Sequence, residues 1–150
     1  GEDVTITTQQ QMMDVLGSVL GVLTFAVGAL GGISLLVGGV GIFSIMTISV
    51  SERTSEVGLL RALGASKGQI LTLFLGEAIL LAAAGGFAGL VVGWGGAWMI
   101  NQLIPSMPVH TPLYFVFLAE FAAILIGLLA GVAPARRAAA MIPVEALRTE

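Results

Sequence analysis

The 150-residue chain is 57% hydrophobic and 10% charged, with a net charge of −3 and a mean hydropathy of +1.02. Soluble domains carry about 25% charged residues, so this composition excludes an ordinary water-soluble fold and points to lipid. The small negative balance, with no basic cluster interleaved with aromatics, offers nothing to nucleic acid. The absence of cysteine removes disulfides and cysteine-ligated metals without fixing the compartment.

Residues 1–14 are polar, with Glu2, Asp3, Asp14 and three consecutive glutamines. This acidic start lacks the basic region that opens a cleavable signal peptide. A first residue that is glycine rather than methionine suits a fragment or a processed piece. Val4-Thr5-Ile6-Thr7 alternates like the end of a strand, with a helix entered from Thr8 onward.

Residues 15–50 contain no charge at all. At 1.5 Å per residue they make about 54 Å of helix against a ~30 Å hydrocarbon core. Part of that helix must project beyond the bilayer, or the whole must tilt. Gly17/Gly21 and Gly28/Gly32 form small-xxx-small pairs that permit close backbone approach.

Residues 51–67 form a polar island, which must lie at one membrane face because an apolar run flanks it on each side. Its pattern predicts a helix, a stop and a restart. Glu52 and Glu56 fall in the first turns and Arg61 and Lys67 later, in keeping with the helix dipole. Val57, Leu60 and Leu63 recur at helical spacing as an apolar stripe. Gly64 suits a C-terminal cap, and Ser66-Lys67-Gly68-Gln69 matches a capping box that opens the next helix. A segment so held is either a docking element for a partner at the membrane surface or a solvated loop joining two spans.

Residues 68–104 are a second long apolar run, with Glu77 its only charge and Gly85/Gly89/Gly93 along one face. Trp98, Asn101 and Gln102 suit an outer interface, and Trp94 reads as packing. Residues 105–112 are a Pro-rich turn that cannot be helical throughout. It carries His110, a lone loop histidine with no neighbour to serve as ligand or base. A third span covers residues 113–133, with Tyr114 near its outer end and Gly127/Gly131 as another small pair. Pro134 is expected to end it. In the tail, residues 134–150, Pro143 is placed to open a last short helix.

All six basic residues, Arg53, Arg61, Lys67, Arg136, Arg137 and Arg148, lie in the island or the tail. The positive-inside rule therefore puts island and tail in the cytoplasm, and the N-terminus and Pro-rich loop outside. Three crossings satisfy this arrangement. The predicted fold class is an all-α integral membrane protein of three transmembrane helices, N-terminus outside and C-terminus cytoplasmic, with a short amphipathic cytoplasmic helix.

No catalytic constellation, Walker lysine loop, dinucleotide turn or metal-ligand spacing is present in the sequence. Intramembrane carboxylates are functional suspects by default, and Glu77 and Glu120 are two of them. Glu77 lies about 15 Å along the helix from Lys67, and Glu120 about 12 Å from Pro112. They enter from opposite faces with no basic residue in either span, so a proton relay competes with hydrogen bonding inside the helix packing.

Three blocks in order carry a resemblance. The first is Gly38-Gly39-Val40-Gly41-Ile42, then Ser49-Val50-Ser51-Glu52-Arg53, then Glu56-Val57-Gly58-Leu59-Leu60-Arg61-Ala62-Leu63-Gly64-Ala65. The second is Phe74-Leu75-Gly76-Glu77-Ala78. The third is Pro134-Ala135-Arg136-Arg137-Ala138-Ala139 with Pro143-Val144-Glu145-Ala146-Leu147-Arg148. Together they resemble the MacB/FtsX-type ABC transporter permeases over nearly the whole chain.

The resemblance implies that the island is the cytoplasmic coupling element resting on an ATPase domain. Glu52, Arg53, Glu56, Gly58, Arg61 and Gly64 would then be the coupling residues, and Glu77 would match a structural, coupling-side glutamate. It further implies an ATPase domain or subunit as partner, a second permease copy, and an adaptor or other extracytoplasmic partner. ATP and Mg would sit on the ATPase, with no cofactor and no catalysis in this chain. Residues 1–14 would end an extracytoplasmic or stalk segment, and the first long helix would carry motion outward. The setting would be a bacterial or archaeal cytoplasmic membrane. Permeases of this family have four spans, with a large extracytoplasmic domain between the first two and, in MacB, a fused ATPase. Export of drugs, peptides or lipoproteins and activation of cell-wall hydrolases share these motifs. The rivals are a scaffold or sensor not driven by ATP, and a proton-coupled carrier using Glu77 and Glu120.

Overall fold

A computed structural model describes residues 1–106 and 112–142. Its elements are α1 (Glu2–Glu52), α2 (Thr54–Ala62), α3 (Lys67–Leu103) and α4 (Leu113–Ala139), with no strand among the described residues. Helices α1, α3 and α4 are each long and apolar enough to cross a membrane. Their large apolar side chains mostly face outward, the reverse of a soluble domain, because lipid is as good a neighbour as another leucine. His110 and the segment from Pro143 to Arg148 lie outside the described residues.

The chain divides into two compact units, Gly1–Val37 and Gly38–Glu150. The first is helical from Glu2, so Val4-Thr5-Ile6-Thr7 is not strand-like. Two local features explain the change. Glu2 and Asp3 occupy the first turn, where the helix dipole favours them. The hydroxyls of Thr5, Thr7 and Thr8 donate to the carbonyls of Gly1, Asp3 and Val4 four residues back, which absorbs their polarity within the helix.

The second unit has one core, gathered where the end of α1, α2, the start of α3 and the end of α4 meet. It comprises Met46, Val50, Val57, Ile70, Phe74, Ala78, Ala135, Ala138 and Ala139. From the edge of this core onward, α3 and α4 hold each other through small residues. A Cβ built on Gly127 would lie 2.2 Å from Ala82 Cβ, and one on Gly131 would lie 2.4 Å from Ala78 Cβ. No side chain larger than hydrogen fits at either glycine without separating the helices. Gly39 of α1 is similarly tight, 2.9 Å from Ile126 Cγ2 of α4. By contrast Gly17, Gly21, Gly28, Gly32, Gly85, Gly89 and Gly93 meet nothing within 4 Å among the described residues.

Helix α4 runs through Pro134 to Ala139 instead of ending at the proline. Interior proline removes one backbone hydrogen bond, at about 3 kcal/mol in water. Here Pro134, Ala135, Ala138 and Ala139 are all buried, so packing of this last stretch holds the helical path. Arg136 and Arg137 consequently lie in the last turn of α4, where cations suit the dipole.

Candidate functional site: the α2 segment and its attachment to α3

The polar run after Val50 ends α1 by chemistry internal to it. Ser51 Oγ donates to the Thr47 carbonyl at 3.0 Å, and Thr54 Oγ1 donates to the carbonyls of Ser51 and Val50 at 2.9 and 3.2 Å. Hydroxyls bonded back in this way bend helices. The break is confined to Arg53, at φ −105° and ψ 24°. Its amide still donates to Ser49, and its carbonyl accepts from Val57. Glu52 therefore stands in the last turn of α1, not in the first turn of the short helix.

The far end of α2 is closed by a glycine turn. Gly64 has φ +104°, a left-handed value that side chains oppose. Its amide donates to Arg61 and that of Ala65 to Leu60, the paired bonds of a Schellman motif. Arg61 reinforces the turn, its Nη1 donating to the Ala65 carbonyl at 3.0 Å. Arg61 Nε is buried without a hydrogen-bond partner among the described residues. The capping box at α3 then forms in both halves: Gln69 N donates to Ser66 Oγ at 3.2 Å, and Ser66 N to Gln69 Oε1 at 2.9 Å.

Between these ends α2 buries only Val57 and Gly58. The stripe expected from Val57, Leu60 and Leu63 is therefore not the buried face. Leu59, Leu60 and Leu63 are 54%, 38% and 76% exposed, and Glu52 and Glu56 are exposed as well. The reason is geometric: core contact falls on one short arc around Val57, and the capped turn carries Leu63 past it. The outward face is a mixed apolar and acidic surface.

Arg53 turns inward. Its Nη1 donates to the Glu77 carboxylate of α3, its Nε donates to Glu56 Oε2 at 3.2 Å, and its guanidinium lies 5.2 Å from the centroid of the Phe74 ring. The Glu77 hydrogen bond, foremost, and the charge of both carboxylates hold the Arg53 guanidinium above its usual range, against the opposing effect of burial. Phe74 is a participant that periodicity alone does not reveal. Its signal is its place one turn before Glu77 on the same face of α3.

Glu120 sits elsewhere. Its Oε2 is buried with no partner among the described residues and lies 2.9 Å from a Cβ built on Gly86. Gly86 follows Glu77 by nine positions on α3, about 13 Å along the helix. The two carboxylates are thus not within hydrogen-bond reach, and Glu77 is engaged by Arg53. Among the described residues no cluster of His, Asp and Glu could hold a metal ion.

Comparison with known proteins identifies the family of the chain. Residues 28–143 match the family model described as FtsX-like permease C-terminal. The chain is 43% identical over 135 residues to the uncharacterized ABC transporter permease YknZ of Bacillus subtilis (strain 168), covering 90% of this chain and 34% of that protein. It is 42% identical over 149 residues to the macrolide export ATP-binding/permease protein MacB of Marinobacter nauticus, covering 99% of this chain and 23% of the relative. A MacB of Chlorobaculum tepidum is 47% identical over 110 residues, or 73% of this chain and 17% of the relative. The chain spans about a third or less of the length of these relatives. With a family match over most of its residues, the chain belongs to the FtsX-like permease family of ABC transporters.

Proposed function

We propose that this chain is the motion-transmitting membrane region of an ATP-driven exporter, with α2 as the element that docks on the ATPase. The single observation that carries this reading is the outward face of α2. Leu59, Leu60 and Leu63 are exposed beside Glu52 and Glu56, while capped turns and Arg53 fix the helix from behind. A short helix presenting leucines to water is an interaction surface, and the names of the relatives supply its partner, an ATP-binding domain.

On this reading the island and the end of α4 face the cytoplasm, since every basic residue lies there or in the tail. The membrane is the bacterial or archaeal cytoplasmic membrane. ATP binding brings two ATPase domains together, each pulling on the α2 of one of two permease copies, and α1 carries the displacement outward. This chain binds no nucleotide and does no chemistry. The transporter would drive efflux or export, with macrolide-like drugs, peptides or lipoproteins as cargo classes, and would act on an extracytoplasmic adaptor or other outer partner.

The test is extraction of the full-length protein from native membranes in mild detergent, followed by an assay of ATP hydrolysis in the purified complex. The comparison is a variant with Leu59→Asp and Leu63→Asp, both exposed on the outward surface of the segment. Loss of a separate ATPase subunit, or hydrolysis that persists without responding to the outer partner, is the expected result. A wild-type preparation with no ATP hydrolysis would overturn the reading.

A further inference from the structure

We propose that the Arg53–Glu77 pair, backed by Phe74, is the mechanical joint that ties α2 to α3, and that Glu77 is a positioning residue for coupling. This deepens the reading above and rests on it for the source of the motion. The starting point is how little else holds α2. A nine-residue helix is too short to be stable alone, and α2 buries only two of its residues. Its orientation must therefore be set by what grips its ends.

The end near α1 is gripped by one planar group. The Arg53 guanidinium offers Nη1 to Glu77, Nε to Glu56 and its face to Phe74. Glu56 belongs to the first turn of α2, while Glu77 and Phe74 belong to α3. Arg53 itself is the single non-helical residue between α1 and α2. Three helices thus meet at one side chain. Phe74 is fully buried in the core, so the ring is a fixed seat, and the guanidinium fork makes directional bonds that a lysine ammonium cannot reproduce.

The same contact accounts for a carboxylate in an apolar helix. Glu77 has no cation within its own span, and the island supplies one from 24 residues away. Removing Arg53 would leave the Glu77 charge half-buried and unpaired, a costly state, while removing Glu77 would leave Arg53 tied only to Glu56 on its own side of the joint. Glu77 is therefore needed where it is without any part in a transport path. A pull on α2 would then move α3 directly, and α4 with it through the Gly127 and Gly131 contacts, in addition to any displacement along α1.

The joint makes a measurable claim: α2 and α3 move as one body. Spin labels at Ala62→Cys on α2 and Leu80→Cys on α3, both exposed positions, report the distance between the helices. They would be placed in a cysteine-free background of the full-length protein with its ATPase. Pulsed electron resonance would be recorded without nucleotide and with ATP and vanadate. The expected wild-type result is one narrow distribution that ATP does not shift. Glu77→Gln should lose that narrow distribution and make the distance nucleotide-dependent, with the ATPase still bound. The double exchange Arg53→Glu with Glu77→Arg, made together with Glu56→Gln to remove the carboxylate that would repel it, should restore part of the narrowing, which a general loss of stability would not allow. Arg53→Lys, which keeps the charge but not the fork, serves should Glu77→Gln fail to fold, and should broaden the distribution.

A wild-type distance that shifts with ATP would overturn the proposal. So would a Glu77→Gln distribution as narrow and unresponsive as the wild type. If no ATPase accompanies the protein, the transporter reading falls, while the nucleotide-free distributions of wild type, Glu77→Gln and the exchange still decide the joint.

Discussion

At the scale of single residues, the short helix depends on positions that can be tested one at a time. Gly64 meets nothing within 4 Å, so its constraint is conformational rather than steric. Its φ of +104° means that Gly64→Ala should cost about 1–2 kcal/mol through the left-handed backbone alone. Ser66→Ala removes the acceptor for Gln69 N and should cost about 1 kcal/mol. Both are read as a lower thermal midpoint in detergent, with Gly64→Asn milder than alanine because asparagine tolerates this region. Arg53 imposes no such sensitivity on pH. Its guanidinium is held above its ordinary range by Glu77, and a raised base contributes stability that is complete below its unfolded value. That contribution is lost only as pH rises through the raised one. The arginine side of the joint therefore stays charged throughout any working pH.

At the scale of elements, the α3–α4 contact rests on two glycines. Gly127→Ala or Gly131→Ala would place a methyl 2.2 or 2.4 Å from an alanine Cβ. Neither alanine has a rotamer by which to withdraw, so the helices must separate. The expected loss is about 1–3 kcal/mol, seen as a lower unfolding midpoint, and Ala82→Gly should recover much of it in the Gly127→Ala background. Gly89→Ala, with open space at its Cβ in the interior of α3, should cost nothing and favour the helix by about 0.5–1 kcal/mol. A Gly89→Ala loss as large as that of Gly127→Ala would contradict this account of the packing. The sequence showed all these glycines at the same four-residue spacing, and spacing alone does not say which face meets a neighbour.

At the scale of the whole molecule, the orientation proposed from the basic residues has a direct check. These 150 residues hold no cysteine, and in a cysteine-free background of the full-length protein single cysteines at Leu63 and Ser106, both exposed, can be labelled with a membrane-impermeant maleimide. Ser106→Cys should react from outside intact cells, and Leu63→Cys only after the cytoplasmic face is opened. The reverse pattern would invert the topology and remove α2 from reach of an ATPase. The three long apolar helices were legible from length and charge, because the bilayer admits few alternatives to an apolar helix.

What the sequence determined by itself was local. The spans, the polar interruption, the glycine turn at Gly64 and the capping box at Ser66 each depend on residues within a few positions of one another, so pattern and propensity suffice. What tertiary structure decided was which faces meet. Leu60 and Leu63 look like core by spacing, yet only Val57 and Gly58 reach it. Pro134 looks like a terminus, yet burial carries α4 past it to Ala139. Glu77 looks like a solitary charge in a span, and its partner is the arginine at a helix break 24 residues earlier. Each of these turns on the packing of elements distant in sequence. A one-dimensional pattern reports a helix's period but not the neighbour that its surface meets.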